Sequence, residues 1–257
     1  MQFHCKKCGR CCETLGRVKD QIEQDRTLLT YQLVFPPYSI DIISGYRGLP
    51  LIEWEVQKLE KEAEKLNLRI NIKPAKVIFD LHRNISLVTG WVLDEKICPF
   101  LINQQCRIYD KRPFTCKQYP LLGVGYAHHQ SGIRPVYYIS EQCPQTKDLF
   151  FEGSFDELQK GLKSFFGNNI YFSCLQAGMH LHQIQLTVNR LVQENKIRPA
   201  VLDKGLMKKI KDNRKIGLFE FLISEGVITK EKYSQIIQDI ESYVHAQQQY
   251  YEGWKFQ

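Results

Sequence analysis

The chain's 257 residues, 43% hydrophobic and 25% charged, suffice for a substantial core, which excludes the mini-protein case in which metal or disulfides substitute for apolar burial. No stretch approaches transmembrane length and the N-terminus carries no apolar leader segment, so the chain is expected to lack a membrane span and to reside in the cytoplasm. The formal charge of +7 falls by more than half once eight thiolates and two divalent ions are counted, so net charge makes no case for a nucleic-acid partner.

Eight of the nine cysteines fall into two groups, Cys5, Cys8, Cys11 and Cys12 near the start, and Cys98, Cys106, Cys116 and Cys143 far downstream. In a reducing compartment such clusters read as metal ligands rather than disulfides. A two-residue spacer brings two sulfurs to one centre through a tight turn, as in zinc knuckles and iron–sulfur loops. Neighbouring side chains are expected to diverge, so Cys11 and Cys12 are expected to serve two centres or to bridge them, drawing both groups into each. His4, beside Cys5, reads as an exposed residue.

Further along, Gln21 to Thr30 is polar and helix-compatible, and Phe35-Pro36-Pro37-Tyr38 interrupts regular structure. An amphipathic helix opens near Pro50, with Ile52, Val56, Leu59, Ala63 and Leu66 on its apolar stripe. Glu53, Glu55, Lys58, Glu60, Lys61, Glu62, Glu64 and Lys65 form its solvated face. Short apolar runs from Lys76 to Leu93 predict a hairpin that delivers the chain to Cys98. Cys98-Pro99, Cys106 and Arg112-Pro113-Phe114-Thr115-Cys116 have spacers too long for one tight turn. They converge only if loops fold back, with Pro99, Pro113 and Pro120 fixing φ. A second hairpin is predicted from Leu121–Tyr126 and Ile133–Ile139, with His128 to Gly132 as its loop, delivering the chain to Cys143.

Ser154 and Glu157 form a capping box that opens a helix through about Phe166, and a longer helix is predicted from Asn169 to Gln193. Cys174 reads as a buried helix residue. His180 and His182, two apart on that helix, point in different directions and do not chelate together. Lys196, Arg198, Lys204, Lys208, Lys209, Lys211, Arg214 and Lys215 make a basic run without interleaved aromatic residues, read as a solvated helical face. Leu218 to Thr229 resembles the helix-turn-helix unit of type II secretion ATPase N-terminal domains, with Phe219 where that motif has glycine. That resemblance implies a small helical packing or docking module. The expected fold class is α+β, with a small cysteine-rich metal-binding core of short hairpins and flanking helices over 1–150, followed by an all-α region over 151–257.

Cys5-x-x-Cys8-Gly9-x-Cys11-Cys12, together with Cys98-Pro99-Phe100-Leu101, Cys106-x-Ile108-Tyr109, Arg112-Pro113-x-x-Cys116 and Tyr119-Pro120, resembles the YkgJ-like cysteine-cluster family. The resemblance covers roughly residues 1 to 150 and implies zinc or iron chelation by the eight matched cysteines. A similar domain occurs in flagellin lysine N-methylases.

Lys6, Lys7, Arg10, Arg107, Arg112 and Lys117 lie close in sequence to these cysteines, where positive charge offsets anionic sulfur. Arg112, its fork able to hold backbone carbonyls or sulfurs, is expected to support the ligands, with surface pairing to Asp110 as the alternative. Tyr109 belongs to the same supporting layer, and Tyr109 and Tyr119 read as packing groups with satisfied hydroxyls. The run of three cysteines spaced by two, plus a remote fourth, favours an iron–sulfur cluster over zinc. Dinucleotide, phosphate-loop, nucleophile-elbow and radical S-adenosylmethionine signatures are missing from the sequence. Three functions stay open: a metal or iron–sulfur protein of undefined reaction, a lysine methyltransferase-like enzyme, and a zinc-stabilised scaffold whose C-terminal helices bind a protein partner.

Overall fold

The computed structural model describes residues 3–6, 8–13, 15, 38–42, 48–129, 132–140, 143–147, 149–200, 205–239 and 242. Gln21 to Thr30, Phe35 to Pro37, Lys7 and Lys204 lie outside them. Contacts divide the chain into two compact units, each discontinuous in sequence. One comprises residues 1–13, 101–180 and 237–257, and the other 14–100 and 181–236. This division does not coincide with a single boundary near residue 150, because segments distant along the chain build each core.

The second unit is organised around a sheet. β1 (Ile40–Asp41), β3 (Ile72–Asp80), β4 (Ile85–Leu93) and β2 (Leu49–Leu51) are antiparallel in the order β1-β3-β4-β2. β9 (Lys215–Gly217) adds in parallel to β4 beside β2's stretch of the same edge, pairing Ser86 with Lys215 and Val88 with Gly217. The C-terminal region is thus helical apart from this short strand. The β3–β4 hairpin is the one expected from Lys76 to Leu93, and Val77, Ile78 and Phe79 are all buried because both faces of the sheet are covered. Ile78 and Leu87 pack with Ile184, Val188, Leu191 and Phe219, whereas Val77, Phe79 and Val88 pack with Ile40, Leu206 and Ile210. Each such side chain contributes roughly 1.5–3 kcal/mol by burial.

α2 (Glu53–Lys65) buries Leu59 and Ala63 of the expected stripe together with Trp54, which lies outside it, whereas Ile52 and Val56 are half-buried and Leu66 is exposed. Two residues assigned to its solvated face are in fact used internally. Glu55 accepts the Ile52 N–H, and Glu53 accepts the N–H groups of Phe219 and Glu220 at 3.0 Å, at the start of α6 (Leu218–Ser224). Exposed helix donors attract carboxylates, and Gly217 makes room: a β-carbon there would stand 2.4 Å from a Glu53 oxygen. α6 then turns at Gly226, φ 65°, into a helix over 230–239, giving the helix-turn-helix form expected from 218–229. The basic run is not one helical face. It spans the segment after α4 at 196–200, α5 (Leu206–Asp212) and β9, and Lys215 donates to the carbonyls of Lys211 and Asn213 at the end of α5.

The first unit contains β5 (Leu101–Ile102), β6 (Gln105–Cys106), a 3-10 turn over Tyr109–Lys111, α3 (Phe114–Gln118) and the hairpin β7 (Leu121–His129) and β8 (Gly132–Ile139). That hairpin turns more tightly than expected, since His129 pairs with Gly132. α4 (Phe155–Gln193) breaks at Gly167, φ 77°, where the sequence places a boundary between two helices. Ser154 and Glu157 cap its start reciprocally. Phe3, Leu121, Leu158, Leu162, Phe166, Tyr171 and Phe172 form the core of this unit, with Cys174 buried among them as expected. Among the described residues no helix is long and apolar enough to cross a membrane.

His180 is fully buried on α4, and burial pushes its imidazole down to about 3. A base with a depressed folded-state pKa leaves the unfolded chain binding the extra proton between about 6.5 and 3. Unfolding free energy is therefore expected to fall by up to about 1.4 kcal/mol per pH unit across that window on account of this group. In urea titrations from pH 7 to 4, His180→Gln should show a shallower loss than the parent chain; equal slopes would contradict this assignment.

Candidate metal centre

Four local devices of the first unit position its cysteines. Gly9 adopts φ 73°, and its carbonyl accepts the N–H groups of Cys12 and Glu13 at 2.7 and 2.9 Å. The chain thereby reverses after Cys8 into the short helix α1 (Arg10–Glu13), which carries Cys11 and Cys12. Asn103 and Gln104, both at positive φ, close the two-residue turn between β5 and β6, placing Cys106 opposite Leu101. Pro113 starts α3, and its carbonyl receives the Cys116 N–H. Ser140, just after β8, and Thr146 hold the loop carrying Cys143: the Thr146 hydroxyl donates to the carbonyls of Ser140 and Cys143.

The N-terminal stretch is tied down at two points. Phe3 packs on the rings of Phe165 and Phe166, and its N–H donates to the Phe165 carbonyl at 2.6 Å. Gly9 lies against Leu101, whose side-chain methyl would meet an added β-carbon at 3.3 Å. Gly9→Ala forces a left-handed alanine against that contact and is expected to cost about 1–2 kcal/mol of ordering in the turn. Zinc affinity measured by chelator competition should drop about tenfold or more; an unchanged affinity would show that the turn does not preorganise the thiols.

The sulfurs of Cys11 and Cys12 stand 3.8 Å apart. This corrects the expectation that neighbouring side chains diverge: within α1 the two thiols rotate toward one another. Tetrahedral coordination with metal–sulfur bonds of about 2.3 Å gives a sulfur–sulfur edge of about 3.8 Å, so one ion accommodates the pair. Cys106 and Cys116 belong to the same electrostatic neighbourhood. The Cys11 thiol is raised far above its ordinary range by its hydrogen bond with Cys12 and then by burial. Burial, followed by Cys12 and Cys11, pushes Cys116 well up, and burial raises Cys106, with Cys11 adding to it. Arg112 opposes the rise at all three.

Arg112 is held in place by Tyr109. Its guanidinium carbon lies 3.6 Å from the centroid of the Tyr109 ring, and its Nε donates to the Tyr109 carbonyl at 2.7 Å. Tyr119 follows α3, its hydroxyl oxygen buried and, among the described residues, without a close hydrogen-bond partner. That differs from the satisfied hydroxyl expected, although Ser140 is near enough to bear on it. Burial raises its phenol, and Cys11, Cys143 and Cys8 are among the groups whose charge bears on it.

Cys5 and Cys8 are exposed, Cys143 is half-buried, and Cys98, 7% exposed, belongs to the second unit. His4 is exposed, as expected. The side chains of His128, His129 and His182 lie outside the described set. Among the described residues no three histidine, cysteine, aspartate or glutamate side chains stand in a preformed coordination geometry, so binding requires the thiols to close inward. The donors fit a soft divalent ion: Cys11, Cys12, Cys106 and Cys116 are thiols within electrostatic reach of one another whose protons a metal displaces, and Arg112 is a fixed guanidinium able to balance thiolate charge. Four thiolates around one ion would close its coordination sphere.

A family model, CxxCxxCC, described as "Putative zinc- or iron-chelating domain", matches residues 4–144. Neither the curated proteins nor the solved structures contain a match to this chain.

Proposed function

The chain belongs to the CxxCxxCC family of zinc- or iron-chelating domains, and on that premise we propose that Cys11, Cys12, Cys106 and Cys116 together hold one zinc or iron ion in a closed, structural site. The 3.8 Å separation of the Cys11 and Cys12 sulfurs carries this reading, because it suits two ligands of one tetrahedral ion and not two separate irons of a four-iron cluster. Arg112, stacked on Tyr109, balances part of the thiolate charge. The bound ion joins the N-terminal turn to the β5–β6 hairpin and α3, segments nearly a hundred residues apart in sequence. Cys8 and Cys143, both bearing on Tyr119, are donors for a second ion or for a second iron. Cys5 and Cys98 are assigned to no centre.

A two-iron cluster is the second reading, favoured by the six thiols grouped around Arg112 and Tyr119; such a cluster takes two cysteines on each iron. The cytoplasm suits either reading, since every cysteine is a free thiol and reducing conditions keep it so. The helix-turn-helix module over 218–239 is the surface for a protein partner. Anaerobic purification followed by elemental analysis and visible absorption separates the readings. A colourless protein with stoichiometric zinc supports the mononuclear site, intense visible bands with iron and sulfide support the cluster, and metal-free protein after supplementation with both metals would contradict both.

A further inference from the structure

Tyr119 poses a problem that packing alone does not solve. Its hydroxyl oxygen is buried and makes no close hydrogen bond among the described residues, although Ser140 is near enough to interact with it. A buried hydroxyl without a close partner is destabilising, a cost that phenylalanine at the same position would avoid while keeping the ring. Three thiols lie within electrostatic reach of that oxygen: Cys8 and Cys11 from the N-terminal turn, and Cys143 after β8. A neutral thiol accepts hydrogen bonds weakly, whereas a metal-bound thiolate accepts strongly from a hydroxyl donor. The group in the structure that lacks a close partner is thus within electrostatic reach of groups that become good acceptors only on metal binding.

We propose that Tyr119 is a positioning residue of the metal centre, its buried hydroxyl donating an O–H···S hydrogen bond to a metal-bound cysteine thiolate of the N-terminal turn or of the Cys143 loop. The inference rests on the thiolate reading above and extends it to a residue that binds no metal itself. Such outer partners orient ligands and stabilise their anionic charge, and their loss typically weakens metal binding 10–100-fold. Tyr119 lies three residues beyond Cys116 at the end of α3, so the short helix that positions one sulfur also positions the donor.

Tyr119→Phe tests this in the full-length chain, with Co²⁺ as the spectroscopic probe and Zn²⁺ as its competitor. The variant is expected to bind both ions about 10–100-fold more weakly, to shift the sulfur-to-cobalt charge-transfer bands, and to be at least as thermally stable as the parent when metal-free. A purely structural tyrosine predicts the reverse pattern, with stability changed and affinity kept. Affinity within twofold of the parent and unshifted bands would overturn the proposal while leaving the metal site intact. Failure of the parent chain to bind Co²⁺ or Zn²⁺ would remove the site and the proposal together. A variant that fails to fold is resolved in the parent chain: metal loading should perturb the near-ultraviolet tyrosine spectrum, and an unperturbed spectrum would contradict the hydrogen bond.

Discussion

Replacing Cys106 or Cys116 by serine is expected to weaken zinc binding as severely as replacing Cys11 or Cys12, by at least a hundredfold in each case. Binding that is shared within one closed tetrahedral site cannot survive the loss of any ligand without opening a position to water. If each sequence group instead served its own ion, Cys106→Ser would leave the N-terminal site loaded and stoichiometry would fall by only half. Cys5→Ser should act least, since Cys5 is exposed and outside the grouped thiols. Cys174→Ser gives a further comparison: its thiol, pushed up to about 12 by burial in the first unit's core, belongs to packing and not to the centre. Its substitution should lower thermal stability while leaving metal stoichiometry unchanged. Titration of each variant against a chromophoric zinc chelator measures both affinity and stoichiometry.

The second large effect lies away from the metal. Asp80 is fully buried at the end of β3 and accepts the N–H of Arg198 at 2.8 Å, the N–H of His82 at 3.1 Å and Arg83 Nη1 at 3.2 Å. Through it, the segment after α4 closes onto the β3 edge, where the Ala200 N–H donates to the Phe79 carbonyl and the Leu81 N–H to that of Arg198. Arg83 extends the junction, donating to the Lys196 carbonyl and to Glu225, while its guanidinium lies over the Phe221 ring. Asp80→Ala strands two backbone donors and one side of the guanidinium, so a loss of about 3 kcal/mol is expected. Asp80→Asn keeps an acceptor and should lose about half as much. Urea unfolding of the two variants checks the order, and an Asp80→Ala loss under 1 kcal/mol would contradict the account of this junction.

Much of the fold can be read from periodicity because the elements concerned obey local rules. The stripe on α2, the apolar strands β3 and β4, the second hairpin and the capped, Gly-broken α4 each follow from spacing and breakers alone. β9 does not. Three residues, Lys215 to Gly217, have no pattern of their own and become a strand only because β4 offers an open edge. Glu53 likewise looked solvated, since its partners, the donors of α6, lie more than 160 residues away in sequence. Long-range pairing of this kind also explains why the two units interleave.

At the candidate centre, residue type was legible and grouping was not. Spacing marked eight cysteines as thiolate donors, but nothing in the sequence says that Cys11 and Cys12 turn toward each other or that Cys106 and Cys116 share their electrostatic neighbourhood. Gly9 and the Asn103-Gln104 turn were available signals, each a residue type or pair suited to positive φ at a reversal. Arg112 was legible as a support, and its stacking on Tyr109 shows how the two act as a unit. Tyr119 was misread as a satisfied packing group because a hydroxyl's partner is a property of the folded neighbourhood, not of local sequence.

The sharing of one ion by two distant groups of cysteines is tested most directly by loading the protein with ¹¹³Cd²⁺ and recording cadmium-to-proton correlations. One cadmium resonance coupled to the β-protons of Cys11, Cys12, Cys106 and Cys116 is the expected result. Separate resonances, one coupled only to cysteines of the first dozen residues and another only to those downstream, would contradict it.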